Sequence, residues 1–523
     1  MAITGLVRGG REIKVGKNRQ TITSAESGRE LFLCSVRDSL SMKKRNLIVI
    51  LLVLAGCLLS AGCTQEQQTK GMMTNPATTT TPGGTMPAIT TPGTPAQKIT
   101  TEDLIAFVSS AQAYARENGK EKAIAAFNDP KGQFVHDGLY IFAEGYDGTA
   151  LAEPLQHELI GTNILDMKDS CGVLLVRNLG ETARYGMGYV SYQYPNPARN
   201  YTIEPKLSVV ADADGTYYVG AGMYESSGMV YPSVVLNPAV KIHTTDELVA
   251  FTKSAVDYAR KNSRERALAA FNDPKGQFVQ GEMVIMAFDY NGTNLANPPY
   301  APELSKYHIN LINYHDPDGV GTIREMRNIA KDGGGISYTV TRVPVNGRDI
   351  YIPKIDYAEP VDDTWWLFSG ITHPDYAQLR TGNITGIMIR NHTRADLYAL
   401  VDRAVEYAKE NGKDKTLVEI NNPKGQFADG DLFVWAETSD GTVLADPYWK
   451  DAIGKNYLNF IDPYGAKTTI IALNTIREGT GFSHEMFPDT ATSGTHSIPK
   501  LVYMKPVDDT WWIGSGIYGV QIV

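Results

Sequence analysis

One eight-residue segment occurs three times in this chain, and its spacing limits what the chain can fold into. Phe127–Phe134, reading FNDPKGQF, returns identically at Phe271–Phe278 and as INNPKGQF at Ile420–Phe427, with offsets of 144 and 149 residues. A period this long exceeds that of any solenoid repeat, so each copy is expected to be a domain with its own core rather than one layer of a stack. The 523 residues leave room for three such beads and an N-terminal extension.

Each copy is read the same way. Thr100, Thr244 and Thr393 are followed three residues later by Asp103, Glu247 and Asp396, the pattern of a capping box in which hydroxyl and carboxylate satisfy free amides at a helix start. Apolar positions then recur at helical spacing: Leu104, Phe107, Val108 and Ala111; Leu248, Phe251 and Ala255; Leu397, Leu400, Val401 and Ala404. A second, shorter helix is expected to run to the repeated segment. Beyond it, Leu139 to Glu144, Met283 to Phe288 and Leu432 to Glu437 read as strands leading to the turn dipeptides Asp147-Gly148, Asn291-Gly292 and Asp440-Gly441. Strands are also predicted from Gly186, Gly335 and Gly481, from Lys206, Lys354 and Lys500, and finally from Thr216, Thr364 and Thr510. The predicted class is α+β: three tandem modules at residues 100–225, 243–373 and 392–523, each a helix pair plus an antiparallel sheet.

Residues 1–62 read as a leader and signal peptide. Met42 is read as the true start, because Lys43, Lys44 and Arg45 form a basic head before the 16-residue apolar run Leu47 to Gly62, short of the roughly 20 residues a spanning helix needs. The run ends Leu-Ser-Ala-Gly-Cys, which resembles a lipobox and makes Cys63 the expected lipidation site; the other reading is an uncleaved signal anchor. Either way the remainder is expected at the extracytoplasmic face of the cell envelope, anchored to the membrane. Residues 63–99 are read as a linker: from Gly71 to Pro95, Thr, Pro and Gly make up 18 of 25 residues, a composition that stays extended and solvated. Four Asn-x-Thr triplets, at Asn200, Asn291, Asn383 and Asn391, are compatible with glycosylation.

Charge and cysteine content remove other classes. The chain carries −9 overall, and with the basic leader set aside the rest holds 39 Lys and Arg against 54 Asp and Glu, which argues against a partner that is nucleic acid. Four cysteines, at 34, 57, 63 and 171, give neither a disulfide framework nor a zinc site. Asp212-x-Asp214-Gly and Asp316-x-Asp318-Gly lack the glutamate that completes a calcium loop and are read as turns. No catalytic constellation is found, so the chain is read as a non-enzyme that needs no cofactor and no metal.

The order of features, with Asn-x-Pro-x-Gly-x-Phe, an Asp-Gly turn, Leu-Ala-x-Pro at Leu151–Pro154, Leu295–Pro298 and Leu444–Pro447, and a closing Gly222-Met223-Tyr224 or Gly516-Ile517-Tyr518, resembles the single Cache domain of type 2. The resemblance implies a PAS-like extracellular sensor module that holds a small ligand, often a carboxylate, over a curved sheet. Its His-Pro near the first hairpin is replaced here by Glu153-Pro154, Asn297-Pro298 and Asp446-Pro447.

Lys206, Lys354 and Lys500 each follow a proline and open a strand whose alternation puts Leu207 and Val209, Ile355 and Tyr357, or Leu501 and Tyr503 on the opposite face. With that apolar face on the long helix, the lysine points to the pocket the resemblance implies, and a buried ammonium among aromatic rings favours an anionic guest. The predicted ligand-binding set is Tyr140, Tyr189, Tyr192 and Lys206; Tyr338, Lys354 and Tyr357; and Trp435, His484, Lys500 and Tyr503. Modules 1 and 3 are the favoured binders. The expected function is capture of a small, anionic metabolite by a lipoprotein without its own signalling output, which presents it to a membrane receptor or transporter; the alternative is a structural or adhesive surface protein.

Overall fold

The structure is a computed structural model that describes residues 99–136, 138–227, 240–297, 301–479, 481–488 and 496–523. Met42, Cys63, the signal segment and the Thr/Pro-rich stretch lie outside the described residues. Each module opens on the helix its capping box foretells: Thr101–Asn118 (α1), Thr245–Lys261 (α4) and Arg394–Asn411 (α8), with the threonine hydroxyl and the acidic side chain of the third residue both engaged in every case. Shorter helices follow at Lys120–Phe127 (α2), Arg264–Phe271 (α5) and Lys413–Ile420 (α9).

Short antiparallel pairs precede the sheets, Val135–His136 (β1) with Leu139–Tyr140 (β2), Val279–Gln280 (β8) with Met283–Val284 (β9), and Ala428–Asp429 (β15) with the strand after it, and a five-residue helix stands at Pro302–Lys306 (α6). The main sheets repeat one topology. Module 1 orders Ala150–Ala152 (β4), Phe142–Gly145 (β3), Tyr217–Tyr224 (β7), Thr202–Asp212 (β6) and Met187–Asn196 (β5), each strand antiparallel to the next. Module 2 does the same with Asn294–Ala296 (β11), Met286–Asp289 (β10), Trp365–Thr372 (β14), Arg348–Pro360 (β13) and Gly335–Val345 (β12). Module 3 follows with Val443–Ala445 (β17), Leu432–Thr438 (β16), Trp511–Tyr518 (β20), Ser497–Asp508 (β19) and Gly481–Pro488 (β18).

Period-2 alternation gives each sheet two buried faces. In module 1, Leu207, Val209, Val219 and Ala221 pack with Leu104, Val108 and Ala111 of α1. The opposite face, with Tyr192, Val210 and Tyr218, is covered by Leu175, Val176, Leu179 and Ala183. That cover is a further helix, Leu175–Arg184 (α3), which recurs as Thr322–Lys331 (α7) and Thr468–Arg477 (α10) and which the sequence reading missed. It also gives the adjacent Trp511 and Trp512 separate cores: Trp511 belongs to the α8 side, Trp512 to the α10 side.

The three modules also touch one another. Asn310 of module 2 bridges Gly188 of module 1, and Asp349 and Tyr351 of module 2 pair their amides with the carbonyls of Val523 and Gln521 at the end of module 3. Modules 2 and 3 clasp each other reciprocally: Tyr338 donates to Asp462, while His484 Nε2 lies 2.7 Å from Asp316 Oδ2. Among the described residues no helix is long and apolar enough to cross a membrane.

Candidate ligand-binding site

The register of each sheet puts its lysine at the centre of the face covered by the later helix. Lys206 pairs with Tyr192 and Tyr224, Lys354 with Thr339 and Thr372, and Lys500 with Glu485 and Tyr518. Cross-strand pairs share a face, so these neighbours flank each lysine on its own side of the sheet. All three lysines are buried, at 2%, 6% and 5% exposure.

In module 1 the space is filled by the protein itself. The Lys206 ammonium donates to the Tyr140 hydroxyl at 2.9 Å and sits 4.7 to 5.0 Å from the ring centres of Tyr140, Tyr194 and Tyr224. Glu144, bonded by Tyr218, and Glu153 close the remaining side, leaving a cavity of about 10 Å³, enough for one water at most. Burial pushes the Glu144 carboxyl up to about 7 and Glu153 up to about 8, and lowers the Lys206 ammonium to about 8 against the pull of the two carboxylates.

Module 2 is open where module 1 is closed. A cavity of about 160 Å³ runs between the sheet and α7, walled by Met286, Phe288, Leu311, Ile323, Met326 and Phe368. By the same measure that is room for roughly ten waters. Lys354 lines it, makes no side-chain hydrogen bond to a described residue, and has Asp356 Oδ1 at 4.0 Å. Asp356 is engaged by Thr339 Oγ1 at 2.6 Å, and burial raises its pKa. The amino end of α7, at Thr322, lines the same cavity and adds a partial positive charge.

Module 3 lies between these two, with a cavity of about 60 Å³. The Lys500 ammonium stands 4.2 Å from the Trp435 ring centre, 4.8 Å from Tyr518, 5.3 Å from Phe487 and 5.8 Å from Phe433. Burial opposes its charge, but Tyr518, Glu485 and Asp446 outweigh that cost and its pKa is raised.

Of the predicted residues, Tyr140, Tyr192, Lys206, Lys354, Trp435 and Lys500 lie on the cavity side. Five do not, for a simple reason: an odd number of steps along a strand from a cavity-facing position reverses the face. Tyr189, three from Tyr192, packs beneath α1. Tyr357, three from Lys354, lies on the α4 side, with Lys253 over its ring. Tyr503, three from Lys500, packs against Tyr398 and Phe482. Tyr338 and His484, each one step from a cavity-facing residue, form the clasp between modules 2 and 3 instead. The sequence reading missed Glu144, Tyr194, Glu437 and Glu485 as cavity residues, although Tyr194 and Glu485 stand at even spacing from Tyr192 and Phe487. Module 1 has the least space and module 2 the most, whereas the sequence favours modules 1 and 3 as binders. Asp212 and Asp214 are turn residues, accepting from the amides of Gly215 and Thr216. Cys171 is buried and in no disulfide, and no group of metal-binding side chains occurs among the described residues.

Residues 102–227 and 397–522 match the family model for single Cache domain 2. These two regions, modules 1 and 3, carry the α+β Cache fold. Among curated proteins the chain is 35% identical over 86 residues to the sensor histidine kinase MctS of Rhizobium johnstonii, covering 16% of this chain and 18% of that protein. The chain thus spans under a fifth of the length of this relative. Among solved structures it is similar to a methyl-accepting chemotaxis protein from Vibrio parahaemolyticus, with 20% identity over 24% of this chain and 86% of that one and a TM-score of 0.22. It is similar too to the ligand-binding domain of the amino acid chemoreceptor PctB of Pseudomonas aeruginosa in complex with L-Arg, with 12% identity over 52% and 86% and a TM-score of 0.16.

Proposed function

We propose that the chain captures a small carboxylate metabolite outside the cytoplasmic membrane, with module 2, residues 243–373, serving as a third Cache module and its principal pocket. The observation that carries this reading is Lys354: an ammonium buried at 6% exposure, without a hydrogen bond to a described residue, facing an apolar cavity of about 160 Å³. A desolvated ammonium gains most from an anion that completes its hydrogen bonds, and the apolar walls suit a short hydrocarbon tail. The lipobox-like sequence ending at Cys63 supports a lipid tether, from which the loaded protein would present its ligand to a separate receptor or transporter. Module 1, closed by its own side chains, favours the second reading for that region: a structural spacer that holds its neighbours in place.

The test is a thermal-stability titration of the full chain with acetate, propionate and butyrate. Saturable stabilisation is expected, about 2.7 kcal/mol at a hundredfold excess over the dissociation constant, and it should vanish in Lys354→Met. No stabilisation by any of the three acids overturns the reading.

A further inference from the structure

The cavity of module 3 does not repeat the chemistry of module 2. Three carboxyl groups, Glu437, Glu485 and Asp446, line it against one ammonium, Lys500. The amino end of α10, at Thr468 and Thr469, adds a partial positive charge of about one half at most, which leaves the balance on the acidic side. Glu485 is 8% exposed, and its carboxyl accepts no hydrogen bond from a described residue; Asp446 uses one oxygen, Oδ1, for the amides of Tyr448 and Trp449. Carboxyl groups enclosed without donors are costly to keep ionised, and burial pushes Glu437 up to about 8 and raises Glu485.

The aromatic walls show the same vacancy. Lys500 occupies the faces of Trp435, Tyr518, Phe487 and Phe433. A second group of rings lines the other side: Trp449, with Tyr457 at 4.9 Å and Phe487 at 5.8 Å, and Phe460 at 6.1 Å from Tyr457. Trp449, Tyr457 and Phe460 are only partly buried, and no cation of a described residue stands over them. Ring faces combined with carboxylates are the surroundings in which a desolvated ammonium is most stabilised.

We propose that the module 3 cavity binds a small alkylammonium cation, seated on Trp449, Tyr457 and Phe460 and paired with Glu485 and Asp446. This rests on the reading of the chain as a small-molecule binder and assigns this pocket a guest of opposite charge to that of module 2. The cavity of about 60 Å³ limits that guest to roughly five non-hydrogen atoms.

Calorimetry on the full chain with tetramethylammonium, and with tert-butanol as its uncharged counterpart of equal non-hydrogen atom count, tests the proposal. Saturable tetramethylammonium binding is expected, at least tenfold tighter than tert-butanol, with proton release as Glu437 and Glu485 ionise against the guest. Glu485→Gln and Trp449→Leu should each weaken it at least tenfold; Trp449 is partly exposed, so that variant tolerates substitution even where Glu485→Gln disturbs the neighbouring clasp. Lys354→Met should leave it unchanged. Equal binding of tert-butanol, proton uptake, or indifference to both module 3 variants overturns the proposal. Propionate binding lost in Lys354→Met with no tetramethylammonium binding sinks this assignment alone, whereas failure of both guests sinks the underlying reading as well.

Discussion

Modules 1 and 2 share a strand order, a capping box and a lysine at the same register, yet one cavity measures about 10 Å³ and the other about 160 Å³. The difference lies in what stands beside the lysine. In module 1, Tyr192 and Tyr224 flank Lys206, and Glu153 and Glu144 supply the negative charge. In module 2 the flanking positions hold Thr339 and Thr372, and Asn297 takes the place of Glu153. Two tyrosines exchanged for two threonines, and an acid exchanged for an amide, convert a filled core into a vacant one. One fold thus offers either a self-contained ion cluster or a receptor cavity, and three side chains separate the two.

The most forceful way to break this contrast is to empty module 1. Glu153 is an internal stand-in for a ligand carboxylate on this reading, and Glu144 and Tyr140 still face Lys206 without it, so Glu153→Ala should destabilise the protein by about 1–3 kcal/mol, the cost of leaving a buried group short of one partner. Added acetate should restore part of the loss. Chemical denaturation with and without saturating acetate measures both effects; a loss that acetate leaves untouched would mean that Glu153 acts only as packing.

A second variant sharpens the contrast through pH. Glu144 is raised from its ordinary range to about 7. A carboxyl with a raised folded pKa contributes stability that is complete below its unfolded value and disappears as pH rises through the folded one. The wild-type protein should therefore lose up to about 3 kcal/mol between pH 4.5 and pH 7 from this group. Glu144→Gln, which keeps the shape and stays neutral, should flatten that segment of the stability profile. An unaltered slope in denaturation curves collected across this range would show that Glu144 titrates in the folded state as it does in the unfolded chain.

How much of this was legible beforehand follows from periodicity. The triple segment at Phe127, Phe271 and Ile420 announced the repeats, and Thr100, Thr244 and Thr393 announced the helix starts, because caps act within one turn and are written in consecutive residues. Strand alternation placed all three lysines on the face away from the long helix, where each lines a cavity. The same rule would have excluded Tyr357 and Tyr503, which sit an odd step away. What could not be read was the cover. α3 offers only ten residues, and its burial of Leu175, Val176 and Leu179 depends on a sheet face built from strands distant in sequence. The clasp of His484 on Asp316 joins residues 168 apart, and no local pattern encodes it.

The smallest expected effect on stability tests whether Lys354 is held for a guest or for the fold. Replacing a buried ion that lacks close partners with a hydrophobic residue of similar volume is usually neutral or stabilising. Lys354 has no hydrogen bond to a described residue and only Asp356 at 4.0 Å, and Asp356 retains Thr339. Lys354→Met should therefore shift the unliganded stability by no more than about 1 kcal/mol while removing carboxylate binding. Lys206→Met, measured by the same denaturation curves, should cost more, because it strips Glu144 and Glu153 of their counter-ion and Tyr140 of its donor. Equal costs at the two positions would mean that Lys354 is as deeply committed to the fold as Lys206, and that the vacancy beside it is a packing defect rather than a receptor.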